Sequence, residues 1–505
     1  MNYPQIKNNK TNYVAMSAFL LIAFSSVAHL IFNIVYVASN REINIGFFIN
    51  TYILLLGILV YFVAKGINKH FLIFCFYVCF FTFLMGQKLL VSLDGGRIDE
   101  FLTFKLLQLT QSEYVVFINL LYYSIIGVFL GYTFATSLKN KKTQPMLKDF
   151  DAPLKELPDV NLLNIVRVLF VISFVCAFAM QLKIVIEKRQ TSYVEGYLTN
   201  VDINPLIKIG NFLFLGVSLF YLALKPKKIE MFAVLFALLL LNGGLQMFVG
   251  RRALLAQSVL FVGWYCLMYF QYDGKKIKWQ HLALCLLCGL LIIVLFVVIE
   301  QIRSGQSRTD ISLIGIVKRF FISTGGSDSV IGNTIRYKDS FPKGGITYLM
   351  APVKDAVCDN FLIRKIIYIF TGQEVLSYGQ SIEYLNHHDT FSHWLSYIVL
   401  PEYYLSGHGM GSSYIAEIFI SFGVIGVGLF GLLLGYVIKR ISKLSVRTNK
   451  YVKAIQMFFI YNLFVLPRGG VFDAAMGFIY LIVALAIVKL VDCMVKLIKS
   501  RKRGQ

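Results

Sequence analysis

The first residues in this sequence with a chemistry of their own are arginines at the ends of apolar stretches. Arg251, Arg252, Arg303 and Arg468 stand apart from the basic clusters that hold most of the Lys and Arg. A guanidinium is a planar fork of donors that does not deprotonate, and several together suit a diphosphate at a membrane surface without help from a metal. Any one of them alone has a plainer role, snorkelling to lipid headgroups. Taken jointly, the four predict a lipid-diphosphate ligand.

Proton transfer needs a different set. Four of the seven histidines, His387, His388, His393 and His408, crowd a stretch that also holds Asp389, Glu402 and Glu417. A neutral imidazole or a carboxylate can take the proton of a hydroxyl, which makes His393, His408 and Glu417 the candidate bases. Each histidine alone could instead sit at the surface or in an ordinary hydrogen bond. Glu417 lies about one turn inside an apolar stretch, where an ionisable side chain suggests function, although a hydrogen bond to a neighbouring helix would also keep it there. The spacing His387-His388-x4-His393 lacks a matched carboxylate set, so no metal site is expected.

Between these residues runs Gly407-His408-Gly409-Met410-Gly411-Ser412-Ser413-Tyr414-Ile415-Ala416-Glu417, followed by Phe422-Gly423-Val424-Ile425-Gly426 and preceded by Phe391-Ser392-His393-Trp394. Gly407, Gly409 and Gly411 let backbone approach a ligand, and Ser412 and Ser413 are able to cap the helix that follows. A helix start of this kind suits an anion.

Soluble-enzyme signatures are missing: there is no phosphate-binding Gly-Lys-Ser/Thr loop, no dinucleotide fingerprint and no His-Glu-x-x-His. Asp149-Phe150-Asp151 looks like a metal-nucleotide motif, but its short connection has no room for a nucleotide-binding fold, and a solvated charge run fits better. Cys285-x-x-Cys288 sits in a Leu-rich stretch without a second pair and reads as packing. No cofactor is implied.

The elements that must position these groups are membrane spans. Of 505 residues 57% are hydrophobic and 15% charged, and the mean hydropathy is +0.67. Apolar runs near 13–37, 45–65, 70–93, 114–138, 161–186, 206–224, 229–249, 253–271, 281–302, 413–438, 453–467 and 472–492 predict an all-α polytopic membrane protein of about twelve transmembrane helices. The first run is too long for a signal peptide and reads as a retained span. The eleventh is short and stops at Pro467-Arg468-Gly469-Gly470.

Net charge is +22, yet its distribution argues against nucleic acid. Basic clusters at Lys65/Lys69, Lys139–Lys142, Lys225–Lys228, Lys275–Lys278, Lys439–Lys450 and Lys496–Arg503 occupy alternate connections. That is the positive-inside pattern, and it places both termini in the cytoplasm, with anionic lipid as the partner of the excess charge. The chain then divides into spans 1–9 over 1–303, an extracytoplasmic loop over 304–411, and spans 10–12 with a basic cytoplasmic tail over 412–505. The loop holds nine Lys+Arg and nine Asp+Glu and is neutral overall. Helical periodicity at Ile311–Ile322 and Phe361–Tyr368 makes it a mostly helical cap. Outward segments 94–113 and 187–205 carry amphipathic stretches, such as Ile98 to Leu109, suited to interfacial helices.

The Gly-x-Gly-x-Gly-Ser-Ser-x-Ile-Ala-Glu segment with its Phe-Gly-x-x-Gly sequel, after a long outward loop, resembles the Wzy-type O-antigen and capsule polysaccharide polymerases. Gly250-Arg251-Arg252 opening a span and Pro467-Arg468-Gly469 before the last one are similar to the same family. The resemblance implies a metal-independent, GT-C-like glycosyltransferase of the bacterial cytoplasmic (inner) membrane, acting in O-antigen, lipopolysaccharide or capsule synthesis. It would transfer a growing glycan from undecaprenyl diphosphate to the non-reducing end of a lipid-linked oligosaccharide repeat unit, with a chain-length regulator as a further partner. Arg251, Arg252, Arg303 and Arg468 would stabilise the leaving diphosphate, one of His393, His408 and Glu417 would deprotonate the acceptor, and the glycine segment would align the substrates.

Three other readings compete. An O-antigen ligase shares the arginine and histidine chemistry but passes its glycan to lipid A core; the glycine segment favours a polymerase. A lipid-linked oligosaccharide flippase would have about as many spans, but little reason for a large His-bearing loop, and should place charges mid-membrane. An enzyme using a polyprenyl-monophosphate sugar would want an acidic metal site in an early outward loop, where only Asp99-Glu100 stands.

Overall fold

A computed structural model describes residues 5–39, 45–93, 103–104, 107–139, 160–189, 201–248, 252–272, 315–316, 320–321, 324–372, 380–442 and 449–503. In chain order the helices are α1 (Gln5–Ser39), α2 (Ile45–Ala64), α3 (Ile67–Leu84), α4 (Gly86–Leu93), α5 (Gln111–Lys139), α6 (Val160–Arg189), α7 (Pro205–Ala223), α8 (Lys228–Leu238) and α9 (Arg252–Tyr272). They continue with α10 (Asp328–Arg336), α11 (Gly345–Cys358), α12 (Phe361–Thr371), α13 (Ile382–His387), α14 (Phe391–Val399), α15 (Pro401–Leu405), α16 (Tyr414–Ile441), α17 (Lys450–Leu463) and α18 (Ala475–Arg503).

Nine helices among the described residues are long and apolar enough to cross a membrane, as expected of a multi-pass protein, and Ala253–Met268 adds a shorter apolar stretch. The ninth expected span, 281–302, lies outside the described residues, as do Cys285, Cys288, Asp149 and Asp151. The third and eleventh runs end differently from expectation. The third run breaks at Met85 into α3 and the separate short α4, because Gly86 has no side chain and the Phe321 ring fills that space. The eleventh, α17, has 14 residues and ends before the 3-10 turn Leu466–Arg468, where Pro467 and two glycines stop it.

The tightest packing lies between α5 and α16, and small residues permit it. A Cβ on Gly127 would come 2.6 Å from the Gly428 carbonyl oxygen, and one on Gly431 would come 3.1 Å from that of Ser124. Gly131 and Gly435 likewise press against backbone of the facing helix. In lipid, where apolar helices gain little by avoiding water, such backbone contact is a principal source of association. Ser124 Oγ and Tyr414 Oη meet at 2.5 Å and fasten the start of α16 to α5. A polar inlay adds α1: His29 Nε2 lies 2.8 Å from Asn119 Oδ1, and Asn119 donates to Asn33 at 2.9 Å. Within α16, Gly423 adopts φ +69°, a left-handed break that Gly tolerates and that kinks the helix.

Residues 324–372 and 380–405 hold six short helices, α10 to α15, of which α12 and α13 carry side-chain caps. Asn360 caps α12 by accepting from the Ile363 N–H at 3.0 Å, and Gly372 ends it at φ +67°. Ser381 caps α13 through the Tyr384 N–H at 3.1 Å. Helix α11 packs on α16 and α18, with Gly345 against the α16 backbone at Ile420. The amphipathic stretch Ile98 to Leu109 is not a helix over its described part: Thr103–Phe104 (β1) pairs antiparallel with Leu107–Gln108 (β2). Threonine and aromatic residues favour extended backbone. Most of Ile311–Ile322 lies outside the described residues.

Candidate functional site

The glycine segment and the Pro467-Arg468-Gly469-Gly470 turn, far apart in sequence, form one clamp. Ser413 Oγ donates to the Pro467 carbonyl oxygen at 3.3 Å. Ser412 Oγ donates to Glu417 Oε1 at 2.6 Å, and the Val471 N–H donates to Glu417 Oε2 at 2.8 Å. Both serines therefore serve the clamp; the expected capping bond from Ser413 to α16 is absent. Gly407 and Gly411 take φ +96° and +83°, conformations that a side chain disfavours, and they turn the chain into the clamp. Met410 N–H donates to Ser396 Oγ at 3.0 Å, which ties the segment to α14.

Glu417 is 1% exposed. A buried carboxylate without partners would cost several kcal/mol, and its two internal donors reduce that cost. Beside it stands Asp473, which the sequence reading missed. Its Oδ2 accepts from the Gly470 N–H at 2.5 Å. A Cβ on Gly470 would run into both Glu417 Oε1 and Asp473 Oδ1, so the absent side chain lets the two carboxyls meet. Unlike Glu417, Asp473 has an exposed side chain. Desolvation by the surrounding protein raises its pKa, opposed by the hydrogen bond from the Gly470 N–H. A signal was available: an acid three residues after a Gly-Gly break and two before an apolar helix.

The three candidate bases belong to connected segments, but among the described residues no hydrogen bond joins any two of them. His393, half-buried on α14, has Nδ1 2.9 Å from Tyr404 Oη, and its ring packs 4.7 Å from that of Tyr384. Burial, then the neighbouring His388, lower its pKa to about 4, so it is neutral at pH 7. His408 stacks on Tyr403 at 3.8 Å and has Nδ1 3.1 Å from Ser406 Oγ. His388 is a structural bridge, with Nδ1 3.2 Å from Asp355 and Nε2 3.4 Å from Asp359. Asp389 is committed to Lys343 at 2.5 Å and Lys354 at 3.7 Å. Among the described residues no three His, Cys, Asp or Glu side chains converge as a metal-ligand set.

Arg468 ends the 3-10 turn, exposed, with its guanidinium 6.0 Å from the Phe83 ring. Arg252 opens α9. Arg251 and Arg303 lie outside the described residues. At the same end of the bundle as Phe83, Lys88 and Asp328 form a buried ion pair at 3.0 Å, with the ammonium 3.8 Å from the Phe117 ring centre. Asn333, fully buried, has Nδ2 3.5 Å from Met410 Sδ, a second prop under the glycine segment.

The model of the family described as O-antigen polysaccharide polymerase Wzy matches residues 20–501, nearly the whole chain. No curated protein and no solved structure is significantly similar to it.

Proposed function

Because the chain belongs to the O-antigen polysaccharide polymerase Wzy family, we propose that it transfers a growing glycan from undecaprenyl diphosphate to the non-reducing end of a lipid-linked repeat unit. The observation that carries this reading is the clamp. It fixes Arg468, a cation suited to a diphosphate, on a turn bonded to the glycine segment through Ser413 and Glu417. Loss of a diphosphate from an anomeric carbon requires that its charge be met as it develops, and a guanidinium carried on an anchored turn suits that role. In this reading Arg251, Arg252 and Arg303 serve the same leaving group. The acceptor hydroxyl gives its proton to a base beside the clamp. His393, His408 and Glu417 are the bases that the sequence offers.

In this reading the protein is a GT-C-like, metal-independent glycosyltransferase of the bacterial inner membrane. Both termini are cytoplasmic, the 304–411 loop is extracytoplasmic, and a chain-length regulator acts beside it. The test is the glycan that accumulates on undecaprenyl diphosphate when the gene is deleted. Single repeat units are expected. Intact polymer left on its lipid carrier would make the protein a ligase, and repeat units trapped on the cytoplasmic face would make it a flippase.

A further inference from the structure

Glu417 is the acid that the sequence offers, but its geometry is that of a strut. It is 1% exposed, and its two oxygens accept from Ser412 at 2.6 Å and Val471 at 2.8 Å. Asp473 is placed differently. Its Oδ2 is fixed by the Gly470 N–H, its Oδ1 accepts no hydrogen bond from the described residues, and its side chain is exposed. It stands five residues after Arg468, on the turn that the clamp immobilises.

We propose that Asp473 is the proton acceptor of the transfer, with Oδ1 as the basic atom. The inference rests on the polymerase reading above. In a displacement with inversion the leaving diphosphate and the attacking hydroxyl stand on opposite sides of one anomeric carbon, and Arg468 and Asp473, five residues apart, supply a cation for one end and a base for the other. In the step, the acceptor O–H bond breaks and its proton goes to Asp473 Oδ1. The freed oxygen forms the new bond to the anomeric carbon. The bond from that carbon to the diphosphate oxygen breaks, and its electron pair departs on undecaprenyl diphosphate opposite Arg468. Asp473 then returns its proton to solvent. Desolvation by the surrounding protein makes Asp473 more basic than a carboxylate in water, as a base for a weakly acidic hydroxyl should be.

The test uses the purified full-length protein, lipid-linked repeat units as substrate and undecaprenyl diphosphate as binding probe. Asp473→Asn should lower elongation by about 10²–10⁴-fold, the range typical of a lost general base, while probe affinity stays within about threefold. Formate should restore elongation in Asp473→Ala, because a small carboxylate replaces a missing base but not a missing strut. If Asp473→Asn fails to fold, Asp473→Ser is read by the same two measurements. Elongation by Asp473→Asn within about threefold of wild type overturns the assignment. So does a joint loss of probe binding and elongation that formate leaves unrepaired. Wild-type protein that elongates beside an unimpaired variant refutes this base alone, whereas wild-type protein that never elongates refutes the polymerase reading itself.

Discussion

Ser413 Oγ reaches across 54 positions of sequence to the carbonyl oxygen of Pro467 at 3.3 Å. That bond, with the two that hold Glu417, makes the glycine segment and the arginine-bearing turn a single rigid piece. Substitutions on either side should therefore act on both.

Replacing Arg252, Arg303 or Arg468 by Lys is expected to impair polymerisation without preventing membrane insertion, because one ammonium cannot reproduce a bidentate phosphate contact. The expected loss is roughly tenfold or more, about 1.4 kcal/mol in transition-state energy. Glycan length and yield from membranes of matched expression measure it. Full length and yield in all three variants would reduce these arginines to headgroup anchors.

Gly470→Ala should disrupt the clamp by steric overlap alone, since the added methyl meets both Glu417 and Asp473. Overpacking of this kind costs typically about 1–3 kcal/mol, read as a lower thermal midpoint in detergent together with shorter glycan. Gly326→Ala is the control, because nothing lies within 4 Å of its added Cβ. Equal midpoints in the two variants would show that the carboxyl pair yields freely.

His393 makes the fold of its segment sensitive to acid. Its pKa is about 4 in the folded protein against 6.5 for the free side chain. Below pH 6.5 the unfolded chain gains a proton that the folded one refuses, so the stability His393 contributes is complete above 6.5 and is lost as pH falls toward 4. Melting curves from pH 7.5 to 4.5 should show a falling midpoint that His393→Gln flattens. An unchanged slope would mean that other groups carry the acid sensitivity.

Two native cysteines test the topology. Cys358, in the 304–411 loop, and Cys493, near the C-terminus, are both exposed. An impermeant maleimide applied to spheroplasts should label Cys358 and spare Cys493, and permeabilisation should expose the second. The opposite order would invert the assignment drawn from the Lys and Arg distribution.

Much of this architecture was legible in composition. Runs of about 20 apolar residues have few solutions other than a spanning helix, because lipid offers no partner for an open backbone. The spans predicted at 13–37, 114–138, 161–186 and 413–438 accordingly lie within α1, α5, α6 and, to within a residue, α16. Glycine spacing and the Pro-Arg-Gly-Gly break likewise marked the two segments that build the clamp. Hydropathy fails where its signal is weak. It carried the third run through Met85, because the break there depends on Phe321, a residue more than 200 positions away.

The sequence determined the membrane class and the identity of the two segments that build the clamp, since both follow from local residue type: apolar length, positive charge, glycine and proline. Only the tertiary structure decided which partners those residues take. Two serines that locally suit a helix cap give their hydroxyls instead to Glu417 and Pro467, and His388 bridges Asp355 and Asp359. Asp473 is held locally by the Gly470 N–H, but it faces Glu417 only when α16 and the turn before α18 are packed together. A hydrogen bond is worth most where water is excluded, and exclusion is a property of the packed whole that no short stretch of sequence contains.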